Sequence, residues 1–480
     1  MSEEDKLHDQ CGIFGIWNHA DAARYTYLGL YGQQHRGQES CGITSTDGEN
    51  MFTRKGMGLV AQYFDEAKII ELAGYGAIGH VRYSTTGSSQ PKNAQPIYFD
   101  THRGPISLAH NGNLVNVNSV RDTLSRAGTI FMTSSDSEVI LHLIAQSAEN
   151  DIVSAIVDAL HQVKGAYSVV FLTPTMLLAV RDPHGFRPLV MGRLGGSTVF
   201  ASETTAFDLI NAEFVKELEP GEVVFVGKEN EQPQSIFPFP QERQHQCIFE
   251  HVYFARPDSR VFGTIVHGVR RKLGENIARE NAGVIEADLV VPVPDGGNYI
   301  ALGFSQESGI PFEIGLVRNH YVGRTFIEPE QGIRDFGVKV KLNPIRPVIE
   351  GKRIALVDDS IVRGTTSRKI IQILRQAGAA EVHYLVGSPP YVSPCYYGID
   401  TPEKEDLIAA NLPVEDIRKS IGADSLHYLS LEGLLQSVDP DREKYCISCF
   451  TAHYPVQTTK DADDQLNLWH RRELNGDGKD

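Results

Sequence analysis

No stretch of this 480-residue chain approaches the ~20 consecutive apolar residues that a membrane-spanning helix needs. The opening residues, Met1-Ser2-Glu3-Glu4-Asp5-Lys6, lack both the basic region and the apolar core of a secretory signal. Surplus positive charge is missing as well. The formal net charge is −16, which argues against broad binding to nucleic acid or to anionic membranes. A polyanionic substrate must therefore be held by local amides and cations rather than by a global field. No short-period repeat is visible. Cysteine is scarce, six residues in all. Without an export signal these read as reduced thiols, catalytic groups or metal ligands rather than disulfides, and the expected location is the cytoplasm.

What is present is enough chain for two or more domains with large cores, in the composition of an ordinary globular protein. From Cys11 to about Gly227 short strand-like runs recur, among them Ala166 to Thr173, Met176 to Arg181 and Thr198 to Ser202, with helical patches at Ala67 to Leu72 and Asp136 to Ala148. Residues 228–242 carry charge and proline and read as a linker. From about Gln246 strands alternate with helices: His267 to Glu280 helical, Leu289 to Val293 extended, Tyr299 to Ser308 helical. That alternation predicts βαβ units around a parallel sheet. The tail after about Thr458 is polar.

The most informative run is Ile354-Ala355-Leu356-Val357-Asp358-Asp359-Ser360-Ile361-Val362-Arg363-Gly364-Thr365-Thr366-Ser367. Four apolar residues read as a buried parallel strand. It delivers two adjacent carboxylates and a turn rich in hydroxyls and glycine, followed by a helical stretch from Arg368 to Gln376. Ligands of open α/β sheets bind at such strand ends, and N–H groups at a helix start cradle phosphate. Asp358 and Asp359 can hold ribose hydroxyls or an ion such as magnesium. The plainer alternative is a strand capped by Asp and Ser before a helix. Val290-Val291-Pro292-Val293-Pro294-Asp295-Gly296-Gly297 is a second strand, breaking into paired glycines where backbone amides can approach an anion.

The first of these runs resembles the signature of type I phosphoribosyltransferases, which bind phosphoribosyl pyrophosphate (PRPP). By that resemblance, Asp358 and Asp359 grip the ribose hydroxyls. Ser360, Arg363, Gly364, Thr365 and Thr366 surround the 5′-phosphate. Asp295 and Gly296 belong to the pyrophosphate loop, and Mg²⁺ sits at Asp358, Asp359 and the Gly296 backbone. Many relatives carry Ser or Thr after the acidic residue of that loop. Gly296 and Gly297 stand there instead, so a hydroxyl contact to magnesium at that point is in doubt.

In the first half, Cys11-Gly12-Ile13-Phe14-Gly15 begins a strand with glycines beside the cysteine. Taken alone, Cys11 could be a core cysteine. Four further segments accompany it: Gln34-His35-Arg36-Gly37, Gly79-His80-Val81-Arg82, Ala109-His110-Asn111-Gly112-Asn113 and Ser134-Ser135-Asp136-Ser137-Glu138. Together these resemble the class II glutamine amidotransferase domain, an Ntn hydrolase of αββα architecture. The resemblance implies that Cys11 is the nucleophile and mature N-terminus, with its α-amine as general base. A thiol of pKa ~8.5 is mostly protonated at neutral pH, and an α-amine of pKa ~7.7–8.0 matches the task. An amide nitrogen has no such basicity, so residues 1–10 are expected to be removed at Gln10–Cys11. Asn111 and Gly112 would form the oxyanion hole. Arg82 would pair with the glutamine carboxylate and Asp136 with its ammonium, with Arg36 as an additional structural or substrate-side cation. His35, His80 and His110 leave a metal reading open.

One chain carrying both halves resembles the amidophosphoribosyltransferase family, whose reaction turns glutamine and PRPP into 5-phosphoribosylamine, glutamate and pyrophosphate, at the start of purine synthesis. Phe249 to Ser259 and Arg318 to Phe326 add to the likeness. The implied plan is a propeptide at 1–10, a glutaminase domain at 11–235, a phosphoribosyltransferase domain with a parallel sheet at 246–457, and a polar tail at 458–480. Residues 318–343, rich in Arg, Lys and Gly, read as a loop that closes over the substrate. Cys247, Cys395 and the pair Cys446-Ile447-Ser448-Cys449 fall in the second half. Spacing alone leaves zinc, an iron–sulfur cluster or plain core cysteines open. The resemblance points to a structural [4Fe–4S] cluster. Cys41 is expected to pack in a core. The family also implies purine nucleotides as feedback inhibitors and a homo-oligomer, dimer or tetramer. Two other readings compete: a class II amidotransferase with a sugar acceptor, which would lack Asp358-Asp359, and a nucleotide sensor without catalysis, against which Cys11, Arg82, Asn111 and Asp136 argue.

Overall fold

Two antiparallel sheets stack face to face in the first half of the computed structural model, which describes residues 8, 9, 11–83, 90–229, 231–319, 342–401, 403–438, 440 and 442–457. The seven-stranded sheet runs, in spatial order, Glu213–Glu217, Val190–Leu194, Ser197–Ala201, Gly12–Trp17, Gly76–Arg82, Ser40–Thr46 and Met51–Met57. The six-stranded sheet runs Gln234–Ile236, Val223–Gly227, Met176–Arg181, Gly165–Leu172, Gly104–Leu114 and Ile97–Thr101. The strand at Gln234–Ile236 lies inside the stretch that reads as a linker. Its polar residues are those of a solvent-facing edge, where hydrophobic patterning has nothing to report.

Ile13, Trp17 and Ile78 of one sheet meet Ala109, Val170, Leu177 and Val224 of the other in a common core. Outside the first sheet the helices Ala22–Gly32 and Thr205–Ile210 cover Phe14, Ile16 and Val199. Outside the second, helices Val117–Arg126, Glu138–Gln146 and Ile152–Gln162 cover Leu108, Val169 and Phe171. This makes an αββα stack. Strand Gly165–Leu172 is buried along its whole length because both its faces are covered, which explains its unbroken apolar run.

In the second half a four-stranded parallel sheet runs Leu289–Pro292, Arg353–Asp358, Glu381–Val386 and Ser425–Tyr428. Helices Val266–Glu280 and Asn298–Ser308 pack on one face through Leu273, Ile277, Ile300 and Phe304. Thr365–Gln376 and Val414–Ile421 pack on the other through Ile370, Leu374 and Ile417. His8 and Asp9 pair antiparallel with Asp400 and Ile399. Residues 1–7 and Gln10, most of the presumed closing loop (320–341) and the tail from 458 lie outside the described residues. Among the described residues, no helix is long and apolar enough to cross a membrane.

The halves meet at a buried charge cluster. The Arg36 guanidinium bonds Glu203 from the first half and Glu250 (3.0 and 2.8 Å) from the second, and Arg187 reaches Glu250 at 3.0 Å. Glu250 lies on a single π-helical turn, Glu250–Phe254. Phe186 stacks on Tyr397 across the same junction, ring centres 4.3 Å apart.

Candidate functional sites

Cys11 is buried at the start of strand Gly12–Trp17. That strand pairs with Gly76–Arg82 in the register Gly12 to Val81. Carried one step further, the register sets Cys11 beside Arg82. Burial pulls the Arg82 guanidinium below its ordinary value, while Cys11, Glu39 and Asp136 pull it back, so all three are its electrostatic neighbours. Ser202 ties the Cys11 strand to the opposite sheet: its Oγ accepts the Ile13 N–H at 3.1 Å and the Asn111 Nδ2 at 3.4 Å. The Asn111 amide is buried, with Oδ1 left without a partner.

The strand Gly104–Leu114 carries the second set of groups. Its partner Ile97–Thr101 stops opposite Leu108, leaving an edge beyond with no strand partner among the described residues. There His110 N–H donates to Gln95 Oε1 (2.9 Å) and Leu114 N–H to Asp136 Oδ2 (3.0 Å). N–H groups alternate along a strand, and Val115 N–H bonds Lys164 on the other side. The Gly112 N–H thus points to the same edge as those of His110 and Leu114, between Gln95 and Asp136. Gly112 has φ +149°, and a Cβ there would stand 2.1 Å from the Ala166 carbonyl oxygen, so only glycine fits. An amide side chain, a backbone donor, a thiol, a cation and an anion therefore converge.

The histidines are hydrogen-bonded structural groups. His80 bonds the His110 carbonyl at 3.0 Å, and burial drives it down to about 3, so it is neutral. His110 bonds Ser137 Oγ at 2.9 Å and His35 bonds Glu203 at 2.8 Å. Of the two sequence readings of Arg36, structural or substrate-side cation, the geometry fits the structural one. It is fully buried, with Nε on the Cys11 carbonyl (3.1 Å) and the rest of the fork on Glu203 and Glu250. It holds the Cys11 backbone. Burial alone would raise the Glu203 carboxyl, but His35 and Arg36 override it and hold the group far below the usual range. Gln33, Ser202, Glu203 and Glu250 escape sequence reasoning. Gln33 fixes the Ile13 carbonyl and the Ser202 and Glu203 N–H groups, yet its only sequence signal is adjacency to Gln34-His35-Arg36.

In the second half, strand Arg353–Asp358 ends at a cleft lined by Tyr253, Gly296, Asp358, Asp359, Ser360, Gly364 and Thr366 among others. Gly364, at φ +79°, leads into helix Thr365–Gln376. Asp358 is fixed on both oxygens, Oδ1 by the Asp359 N–H (2.9 Å) and Oδ2 by the buried Tyr384 hydroxyl (2.6 Å). Tyr384 also lies 3.1 Å from Ser367 Oγ. Asp359 takes the Ser360 hydroxyl at 2.7 Å and leans over Gly296, where a Cβ would fall 1.7 Å from its Oδ2. The glycine that replaces an expected hydroxyl residue thus makes room for the Asp359 carboxylate. Three of the sequence candidates are not among this cleft's lining. Asp295 is half exposed and paired with Arg318 at 2.6 Å, beside a neighbouring apolar cleft. Arg363 pairs with Asp406 at 3.3 Å, and Thr365 is exposed.

The cysteines of the second half gather. Gln246–Cys247 and Tyr445–Cys446 pair in parallel, setting Cys247 opposite Cys446. Cys449 accepts the N–H groups of Val392 and Ser393 on its carbonyl, just before Cys395. Cys395 Sγ accepts the Tyr397 N–H at 3.3 Å. Burial pushes all four thiols up, Cys446 to about 11, and Cys247, Cys446 and Cys449 each feel Cys395. Among the described residues no three His, Cys, Asp or Glu side chains close on one metal ion. Cys41 is apart, in the core of the seven-stranded sheet, pushed up to about 12 by burial.

Residues 80–209 match the family model of a glutamine amidotransferase domain. The chain is 51% identical over 460 residues to the chloroplastic amidophosphoribosyltransferase 1 of Arabidopsis thaliana, covering 95% of this chain and 81% of that one. It is 46% identical over 466 residues to the amidophosphoribosyltransferase of Bacillus subtilis, covering 96% and 97%. The chain belongs to the amidophosphoribosyltransferase family. A solved B. subtilis glutamine PRPP amidotransferase, complexed with ADP and GMP, superposes with a TM-score of 0.89 at 46% identity, covering 94% of this chain and 98% of that one. Family membership fixes the class, a glutamine-dependent pentosyltransferase with an Ntn-type glutaminase half and a phosphoribosyltransferase half.

Two variants test the second cleft. Tyr384→Phe removes one donor from a buried carboxylate, an interaction of about 1.5–3 kcal/mol. The expected result is a KM for the phosphoribosyl donor raised about tenfold or more in an ammonia-supported assay. An unchanged KM would show that Asp358 needs no such anchor. Gly296→Ser is expected to drive the Asp359 carboxylate off the loop and to lower kcat/KM of the same half-reaction. Wild-type kinetics would mean that Asp359 moves aside without cost.

Proposed function

We propose that residues 11–235 release ammonia from glutamine and residues 246–457 capture it on the ribose carbon of PRPP, giving 5-phosphoribosylamine, glutamate and pyrophosphate. The observation that carries this reading is the convergence of Cys11, Arg82, Asn111, Gly112 and Asp136 from four separate segments at one open strand edge. Once residues 1–10 are removed, the freed α-amine of Cys11 takes the thiol proton. The sulfur attacks the side-chain amide of glutamine, and the oxygen that gains charge is met by Asn111 Nδ2 and the Gly112 N–H. The C–N bond breaks as the leaving nitrogen takes the proton back from the Cys11 ammonium and departs as ammonia, and water cleaves the thioester. Arg82 and Asp136 recognise the two ends of the amino acid by charge. Arg36 acts as a positioning residue on the Cys11 carbonyl.

At the second cleft, Asp359 and the pinned Asp358 address the ribose hydroxyls, while Ser360, Gly364, Thr366 and the start of helix Thr365–Gln376 receive the 5′-phosphate. Asp358 and Asp359, with the backbone at Gly296, would hold Mg²⁺, which when bound neutralises charge on the departing pyrophosphate. Ammonia adds to the ribose carbon as the bond to pyrophosphate breaks.

The four cysteines suit a structural [4Fe–4S] cluster. A single zinc would bring its sulfurs within about 3.8 Å of one another, given Zn–S bonds near 2.3 Å. Strand pairing and backbone bonds bring the four into one region, and a [4Fe–4S] cube takes one thiolate per corner. Purine nucleotides as inhibitors, a homo-oligomeric state and a cytoplasmic location complete the proposal. The nucleotide complex of the B. subtilis structure supports the first of these.

Cys11→Ala is expected to abolish glutamine-supported synthesis while ammonia-supported synthesis continues. The purified wild-type chain is expected to begin at Cys11 by intact mass and to carry about four irons. Glutamine turnover at full rate by protein that retains residues 1–10 would refute the proposed base.

A further inference from the structure

We propose that Asn113 is a positioning residue of the glutaminase site, holding the strand of Asn111 and Gly112 by a bond across the domain junction. The inference rests on the assignment of those two residues as oxyanion donors. Along a strand, residues two apart share a face. Asn111 and Asn113 therefore project together. The first reaches Ser202 beside Cys11, and the second donates from Nδ2 to the Tyr396 carbonyl at 3.0 Å.

The acceptor is held firmly. Tyr396 lies between Cys395, whose Sγ takes the Tyr397 N–H, and Tyr397, whose ring stacks on Phe186 and whose hydroxyl donates to Val456 at 2.7 Å. Tyr397 and Phe186 share an apolar cluster with Val115 and Ala166, the residues that flank Asn113 in sequence and across the sheet. The need for such an anchor follows from the fold. Past Leu108 the strand has no strand neighbour on one side among the described residues, and Gly112 adds a conformation that only glycine tolerates. A donor pair displaced by an ångström loses most of its preference for the transition state. The second domain thus supplies the stiffness that the open edge lacks.

Asn113→Asp keeps the shape and replaces the donor with an acceptor. Four quantities are read on the full-length, processed enzyme: kcat and KM for glutamine, ammonia-supported synthesis, and the rate of Cys11 alkylation by iodoacetamide, which needs no oxyanion hole. The expected result is kcat lower by about tenfold, with KM within about twofold and the other two rates as in the wild type. Asn113→Ala serves the same test if the aspartate prevents folding. An unchanged kcat overturns the inference. So do slower alkylation, which would place the effect on the thiol, and a parallel fall of all activities, which would mark a general structural role. Asn111→Ala separates the two layers. If it leaves kcat intact, the donor assignment itself fails. If it lowers kcat while Asn113→Asp does not, only the inference about Asn113 fails.

Discussion

The arrangement of both sites depends on one buried, charge-balanced cluster: Arg36 and Arg187 against Glu203 and Glu250, with His35 at its edge. All four of its principal side chains are shut off from solvent. Such a cluster adds little net stability, because desolvation consumes most of the Coulombic gain. Its force lies in what it forbids. Removing one partner strands a charge in the interior, at a cost of about 3–5 kcal/mol. The two halves can therefore dock in only the register that pairs every charge. Arg36 passes that constraint to the start of strand Gly12–Trp17 through the Cys11 carbonyl. Glu203 passes it on to the Arg256 N–H and the Ser259 hydroxyl at the entry to the second domain.

A second constraint is the double sheet. Stacking two antiparallel sheets with helices outside leaves the strand ends as the places where polar groups meet without breaking the core. Cys11 and Arg82 occupy two adjacent strand ends, and Asn111 and Gly112 lie where a third strand outruns its neighbour. The parallel sheet of the second half repeats the principle with different chemistry. Asp358 and Asp359 emerge at a carboxyl end flanked by a helix start, the place where open α/β sheets receive phosphorylated ligands.

Legibility followed distance along the chain. The strand and helix of residues 353–376 were readable because their apolar run, acids, glycine and hydroxyls are contiguous, and the helices at Val266–Glu280 and Asn298–Ser308 appeared within a residue of their expected starts. Glu203 and Glu250 were not readable. Each is an unremarkable acid until folding brings Arg36 to it across 167 and 214 residues. The same ignorance of partners left Arg36 open between a structural and a substrate-side cation. Tyr384 hid differently, as one aromatic in a buried strand, where an apolar pattern accounts for a phenol without revealing that its hydroxyl meets Asp358.

Gly296 shows how far a local departure can be understood once the neighbour is known. From sequence alone, the missing hydroxyl residue looks like a lost ligand. In the folded chain the Asp359 carboxylate occupies the very volume that a side chain at 296 would need. Loss of a neutral oxygen on one loop is thus paired with the approach of a charged oxygen from the other. A carboxylate is the harder and stronger ligand for magnesium. In the proposed magnesium site an oxygen brought by Asp359 would offset the one missing at position 296, while Tyr384 keeps the adjacent Asp358 from following it. The two acids are held differently as a result: Asp358 on both oxygens by the Asp359 N–H and the Tyr384 hydroxyl, Asp359 by the Ser360 hydroxyl.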